Sequence, residues 1–168
     1  MLKALGWIDR TIGSVLGPIV FLGMIALTGV ITLQIVSRVF FTSVSWTEEV
    51  ARFLLIWITF IGATLAFQQG RHIAVTLLRD SLPTHLRRIV TAAGILVTIL
   101  FLVTLTIIGW QYMNVQSFQK SPSLRISMTY IYSVMPLCTA VMSGLAMIDL
   151  VRLLAGQLPR EIPLDMPE

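Results

Sequence analysis

The densest run of chemistry-capable side chains in this sequence is Ser45-Trp46-Thr47-Glu48-Glu49, with Arg52 one helical turn further on. Two adjacent carboxylates beside a guanidinium can pair, hold a cation or relay a proton. Ser45 and Glu48 have the spacing of a capping box, in which each side chain satisfies a free backbone N–H at a helix start. Acids in a first turn also complement the helix dipole, and Glu48 and Arg52 stand at i,i+4. Glu49 is the acid left over. It lies about one turn from a long apolar run, where an unpaired carboxylate is costly, so a basic or polar partner is expected for it. A structural ion pair is the first reading, and a role in substrate or ion coupling is the alternative.

Other reactive side chains are sparse. His72 and His85 both fall between apolar runs, so they could not hold a haem between spans. Cys138 stands alone in an apolar run, can form no intrachain disulfide and reads as a small buried hydrophobe. There is no HExxH, no phosphate loop and no acid at the centre of an apolar run. Gln34 is near a boundary, Asp149 lies at an end beside Arg152, and the polar groups of the third run are threonines, expected to bond to their own backbone. An ion-coupled carrier normally needs ionisable groups or broken helices at mid-depth. The chain is therefore expected to have no catalytic residue, cofactor or metal of its own, and not to be an enzyme.

The elements that position these residues are set by composition. Of the 168 residues 56% are hydrophobic and 12% charged, whereas an average soluble domain is about a quarter charged. Four uncharged stretches, 11–37, 53–70, 89–119 and 126–148, are each long enough as helix, at 1.5 Å per residue, to cross ~30 Å of hydrocarbon. Strands are excluded, because open sheet edges do not survive in lipid and no run alternates like a barrel. The expected fold is an all-α integral membrane protein, one domain over 1–168, with spans at about 12–37, 50–70, 87–112 and 127–152. The first apolar run, 15–36, is too long for a signal h-region and no small-residue cleavage motif follows, so it reads as a retained span.

The twelve Lys and Arg lie between the apolar runs and form no patches, which argues against nucleic acid despite a net charge of +4. With the N-terminus inside, Lys3, Arg10, Arg71, Arg79, Arg87, Arg88, Arg152 and Arg160 fall on the inner side and Arg38, Arg52, Lys120 and Arg125 on the outer side. Eight against four predicts that both termini are cytoplasmic. Phe40, Phe41, Trp46, Trp110, Tyr112, Tyr130 and Tyr132 then fall near the outer boundary, with Trp7 as the main inner counterpart. This is either an ordinary interfacial belt or, with Arg38, Lys120 and Arg125, a docking surface for an external partner.

Two loops carry structure of their own. Segment 70–82 places Ile73, Leu77, Leu78 and Leu82 among charges and is expected to lie along the inner surface as a short amphipathic piece, with Pro83 starting the third helix. Ser121-Pro122-Ser123 marks a turn before the fourth span. Residues 156–168, with three prolines and three acids, read as a flexible tail. Gly62, Ala66 and Gly70 recur every four residues on one helix face, with a weaker repeat at Ala140 and Gly144. Such faces let helices approach closely, either within the chain or against another protein. Pro136 is expected to bend the fourth span, since it lacks an N–H.

Trp46-Thr47-Glu48-Glu49-Val50-Ala51-Arg52, Trp57, Gly62-Ala63 and Gly70-Arg71-His72-Ile73-Ala74-Val75, in that order and spacing, resemble the signature of the DctQ-type small subunit of tripartite ATP-independent periplasmic (TRAP) transporters. The likeness continues through Leu82-Pro83, Tyr132 and Pro136, more loosely in the fourth span than in the second. No single element is specific, but the combination is much more so.

The resemblance implies a four-helix subunit in a bacterial inner membrane. It would pair with a large membrane subunit that carries substrate and sodium, and help to dock a soluble periplasmic substrate-binding protein. Substrates would be organic acids such as C4-dicarboxylates or sialic acids. On this reading Glu48 and Arg52 order the start of the second helix, Glu49 and Trp46 fix the subunit against its partner, and the Gly62 face is a helix contact. The chain's stop after the tail suggests a polypeptide separate from the large subunit. The competing expectation is a self-sufficient four-helix transporter using Glu48 or Glu49 for proton or cation exchange.

Overall fold

A computed structural model describes the backbone of residues 2–40, 45–79 and 84–155 and the side chains of residues 12–40, 45–69 and 89–155. Among the described residues five α-helices follow in order: α1 Leu2–Phe40, α2 Ser45–Arg79, α3 Thr84–Val115, α4 Met128–Tyr132 and α5 Val134–Leu154. A 3-10 turn, Gln116–Phe118, follows α3. Four helical stretches are long and apolar enough to cross a bilayer: Ile12–Phe40, Ser45–Gln69, Ile89–Phe118 and Met128–Leu154. Among the described residues the only strand-like feature is an isolated antiparallel bridge between Lys120 and Ser127.

The helices outrun the apolar stretches that nucleate them. Helix α2 continues without a break through 70–79, most of the stretch expected as a short amphipathic piece, so the backbone there is helical and continuous with the span. Helix α3 begins at Thr84, directly after Pro83. Residues 80–83 and the tail 156–168 lie outside the described residues, as do the side chains of His72 and His85 and the surroundings of Gly70.

The fourth span is two helices, interrupted at Ser133. Pro136 has no N–H to give the Tyr132 carbonyl, so the i→i−4 ladder loses one rung there. The rungs on either side persist, Ser133 N–H to the Thr129 carbonyl at 3.0 Å and Leu137 N–H to the Ser133 carbonyl at 3.3 Å. Ser127 caps the short helix, its hydroxyl accepting from the Thr129 N–H.

Helix α1 lies against α2, α2 against α5, and α5 against α3, while α2 and α3 scarcely meet. The most enclosed residues follow from that order. Val134, Cys138, Leu145, Ala146 and Leu153 of α5 are buried, as are Thr64 of α2 and Leu102 of α3. The outward surfaces of α1 and α3 remain apolar and exposed, including Phe21, Leu22, Ile25, Leu96, Val97 and Leu100, as suits helices solvated by lipid.

Candidate functional site

Consecutive residues on a helix project about 100° apart, and the start of α2 uses this to give its two acids different surroundings. Glu48 points outward and meets Arg52 Nη2 at 3.1 Å, both side chains about two-thirds exposed. Trp46 is exposed too, while Thr47 is fully buried. Glu49 turns into the chain. Its carboxylate accepts from the Ser121 hydroxyl, from the Ser123 N–H at 2.8 Å and from the Leu124 N–H at 3.1 Å. Beside it the Ser123 hydroxyl donates to the Ser45 hydroxyl at 2.9 Å.

The partner of Glu49 is thus the turn between the third and fourth spans. Two backbone amides and a hydroxyl converge on one carboxylate, and hydrogen bonds to an ionised acceptor are among the stronger ones. The turn is also closed on itself. Ser121 N–H donates to the Ile126 carbonyl at 2.9 Å, Arg125 N–H to the Ser121 carbonyl at 3.0 Å and Met128 N–H to the Gln119 carbonyl at 3.0 Å. Arg125 takes the left-handed conformation, φ 55°, which non-glycine residues seldom adopt. Ser121 is buried beneath the turn.

Around this turn lie the residues expected to form an outer surface. Arg38, Lys120, Arg125, Trp110, Tyr112 and Tyr130 are all exposed, and all belong to the end of the bundle where α1 ends and α2 begins. Tyr112 and Tyr132 meet edge to face with ring centroids 5.0 Å apart, which ties α3 to the start of the fourth span. Phe118, 93% exposed, stands just before the turn.

Within the third span, threonines bond to their own backbone or across to the fourth. Thr98, Thr104 and Thr106 of α3 donate to the carbonyls four residues back at 2.8–2.9 Å. Thr106 also meets the Thr139 hydroxyl at 3.0 Å, a cross-link between α3 and α5 at mid-depth. In the last turns of α5, Arg152 Nη1 lies 3.7 Å from Asp149 Oδ1, with both side chains largely buried.

The close helix approaches are not where the small-residue repeat suggested. A Cβ on Gly23 would lie 2.8 Å from Ile58 Cγ1, and one on Gly109 would lie 3.3 Å from both Met135 Cγ and Pro136 N. Gly23 therefore marks a contact of the α1–α2 pair, as does Gly13, whose Cβ would lie 3.1 Å from the Gln68 amide, and Gly109 marks one of the α3–α5 pair. By contrast, a Cβ on Gly62 or Gly144 would meet nothing within 4 Å, and Ala66 and Ala140 are exposed. The small faces of α2 and α5 are open in the isolated chain. Gly23 and Gly109 had no small neighbour at a four-residue interval to mark them.

A family model for the DctQ component of the tripartite ATP-independent periplasmic transporters matches residues 27–156. The chain belongs to that family. The matched stretch contains both sides of the Glu49 contact and all six residues of the outer surface. Three relatives give the scale of the likeness. The isethionate TRAP transporter permease protein DctMQ of Oleidesulfovibrio alaskensis is 30% identical over 165 residues, which is 91% of this chain and 24% of that protein. A putative TRAP transporter small permease protein of Haemophilus influenzae is 32% identical, covering 69% of this chain and 74% of its own length. The sialic acid TRAP transporter small permease protein SiaQ of Vibrio cholerae is 26% identical, covering 67% and 66%.

The chain thus spans about a quarter of the length of the isethionate permease and most of a small permease protein. As a DctQ component it is a multi-pass protein of the bacterial inner membrane, and the DctQ family is one of transporter components, not of enzymes.

Proposed function

We propose that this chain is the non-catalytic small subunit of a sodium-coupled TRAP transporter for organic acids, a fixed membrane scaffold. It pairs with a large transport subunit and, at the end bearing the Glu49-held turn, helps to dock a periplasmic substrate-binding protein. Both chain termini then face the cytoplasm. The observation that carries the reading is the contrast between interior and surface. The charged side chains of the four spans, Arg38, Glu48, Glu49, Arg52, Asp149 and Arg152, all lie towards span ends, while the small faces at Gly62 and Gly144 stand open. Mid-depth holds threonines bonded to carbonyls and to each other, which offer no titratable group for ion coupling. The relatives support the pairing, since in the isethionate permease the matching stretch is a minor part of a much longer polypeptide.

The test is reconstitution in proteoliposomes of the large subunit with and without this chain, with the binding protein outside and a sodium gradient imposed. Uptake of isethionate, sialic acid or succinate should require the two membrane chains together and should collapse with the gradient. This chain alone should move no solute; transport by it alone would establish the self-sufficient carrier instead.

A further inference from the structure

We propose that Glu49 is a positioning residue that presents the turn 119–127 as a cationic platform for an acidic face of the periplasmic binding protein. The proposal rests on the docking role given above and assigns it to particular residues. The end of the bundle that carries the turn holds Arg38, Arg52, Lys120 and Arg125 against Glu48 and Glu49. Both acids are engaged. Glu48 offsets Arg52, and both carboxylate oxygens of Glu49 take the Ser121, Ser123 and Leu124 donors of the turn.

Glu49 therefore neutralises neither Lys120 nor Arg125, although it holds the turn on which both stand. Among the described residues neither cation has an ion-pair partner, and both are exposed. An acid placed to fix the backbone while leaving adjacent cations unpaired sets up a positive surface for a negative partner.

Geometry favours a protein over anionic lipid headgroups as that partner. Lipid needs no fixed arrangement of cations, yet this turn is held by three bonds to Glu49, by Ser45 and by its own ladder, with Arg125 kept at φ 55°. Preorganisation of this kind reduces the ordering cost of docking a specific surface. Phe118 and Tyr130, both exposed beside the cations, supply aromatic contact area of the sort protein interfaces use.

The experiment uses the complete membrane complex in proteoliposomes of neutral lipid, with uptake measured against the concentration of substrate-loaded binding protein. Charge reversal, K120E with R125E, should raise the half-saturating concentration of binding protein tenfold or more, with the maximal rate recovered at saturation and the salt dependence flattened. E49Q keeps the side chain's shape but removes one acceptor oxygen. It should shift half-saturation in the same direction by a smaller factor, with faster hydrogen exchange at the Ser123 and Leu124 amides and unchanged co-purification with the large subunit. Faster exchange in E49Q without a change in half-saturation would overturn the positioning role. An effect of the charge reversal seen only in vesicles containing anionic lipid would assign the cations to headgroups and overturn the protein platform. If the charge reversal has no effect while the binding protein still requires this chain for uptake, the platform fails and the scaffold function stands. If uptake needs no binding protein, the function itself fails.

Discussion

A Cβ placed on Gly109 would lie 3.3 Å from the backbone nitrogen of Pro136, so the third span touches the fourth at the residue that leaves a rung of its helix ladder unmade. Backbone cannot move aside as a side-chain tip can. Gly109→Ala should therefore separate α3 from α5 and destabilise the fold by about 1–3 kcal/mol, the usual range for overpacking. Thermal unfolding of the purified chain in detergent measures it.

Gly23 makes the corresponding contact between α1 and α2, but with the Ile58 side chain. Gly23→Ala should lower the unfolding temperature, and Ile58→Ala in the same chain should restore part of the loss by removing the obstructing Cγ1. Additive effects in that double variant would show that the two residues do not share a contact.

Gly62→Leu and Gly144→Leu separate open faces from packed ones. A Cβ on either glycine would meet nothing within 4 Å, so both variants should leave the stability of the isolated chain nearly unchanged. If the open faces seat the large subunit, co-purification with it should fall sharply. Retained co-purification would leave these faces to lipid.

The adjacent acids should behave differently. Glu48→Gln breaks one well-exposed i,i+4 pair with Arg52 and should cost at most about 0.5 kcal/mol, lost in high salt. Glu49→Gln and Ser121→Ala should be strongly non-additive, because each removes the same contact to the turn. Unfolding measurements on the two single variants and the double variant decide this.

Thr106→Val and Thr139→Val test the mid-depth cross-link between α3 and α5. Interhelical hydrogen bonds in bilayers average about 0.6 kcal/mol, because the separated helices find other partners. A coupling well above 2 kcal/mol would mean that these hydroxyls serve more than packing.

Much of the architecture is legible in the sequence because lipid imposes a local rule. A span must be a continuous apolar helix that satisfies its own backbone, so composition read along the chain is enough to count four. The same rule marks Glu49 as an acid in need of a partner, Pro136 as a weak point and Ser121-Pro122-Ser123 as a turn. Family membership was legible in the same residues, since the order of Trp46, Glu48, Glu49, Gly62 and Gly70 carries it.

What the tertiary structure alone decided is which of these features meet. Glu49 and Ser123 are 74 residues apart, and they meet in a bundle where α5 packs against both α2 and α3, so that the turn joining the third and fourth spans reaches the start of α2. The small-residue repeat marks the helix faces that allow close approach, but only packing shows that Gly62 and Gly144 are left open while Gly23 and Gly109 are filled. Burial in lipid is a property of each segment and can be read from it. Contact is a property of pairs, and the pairs are set by how the helices pack.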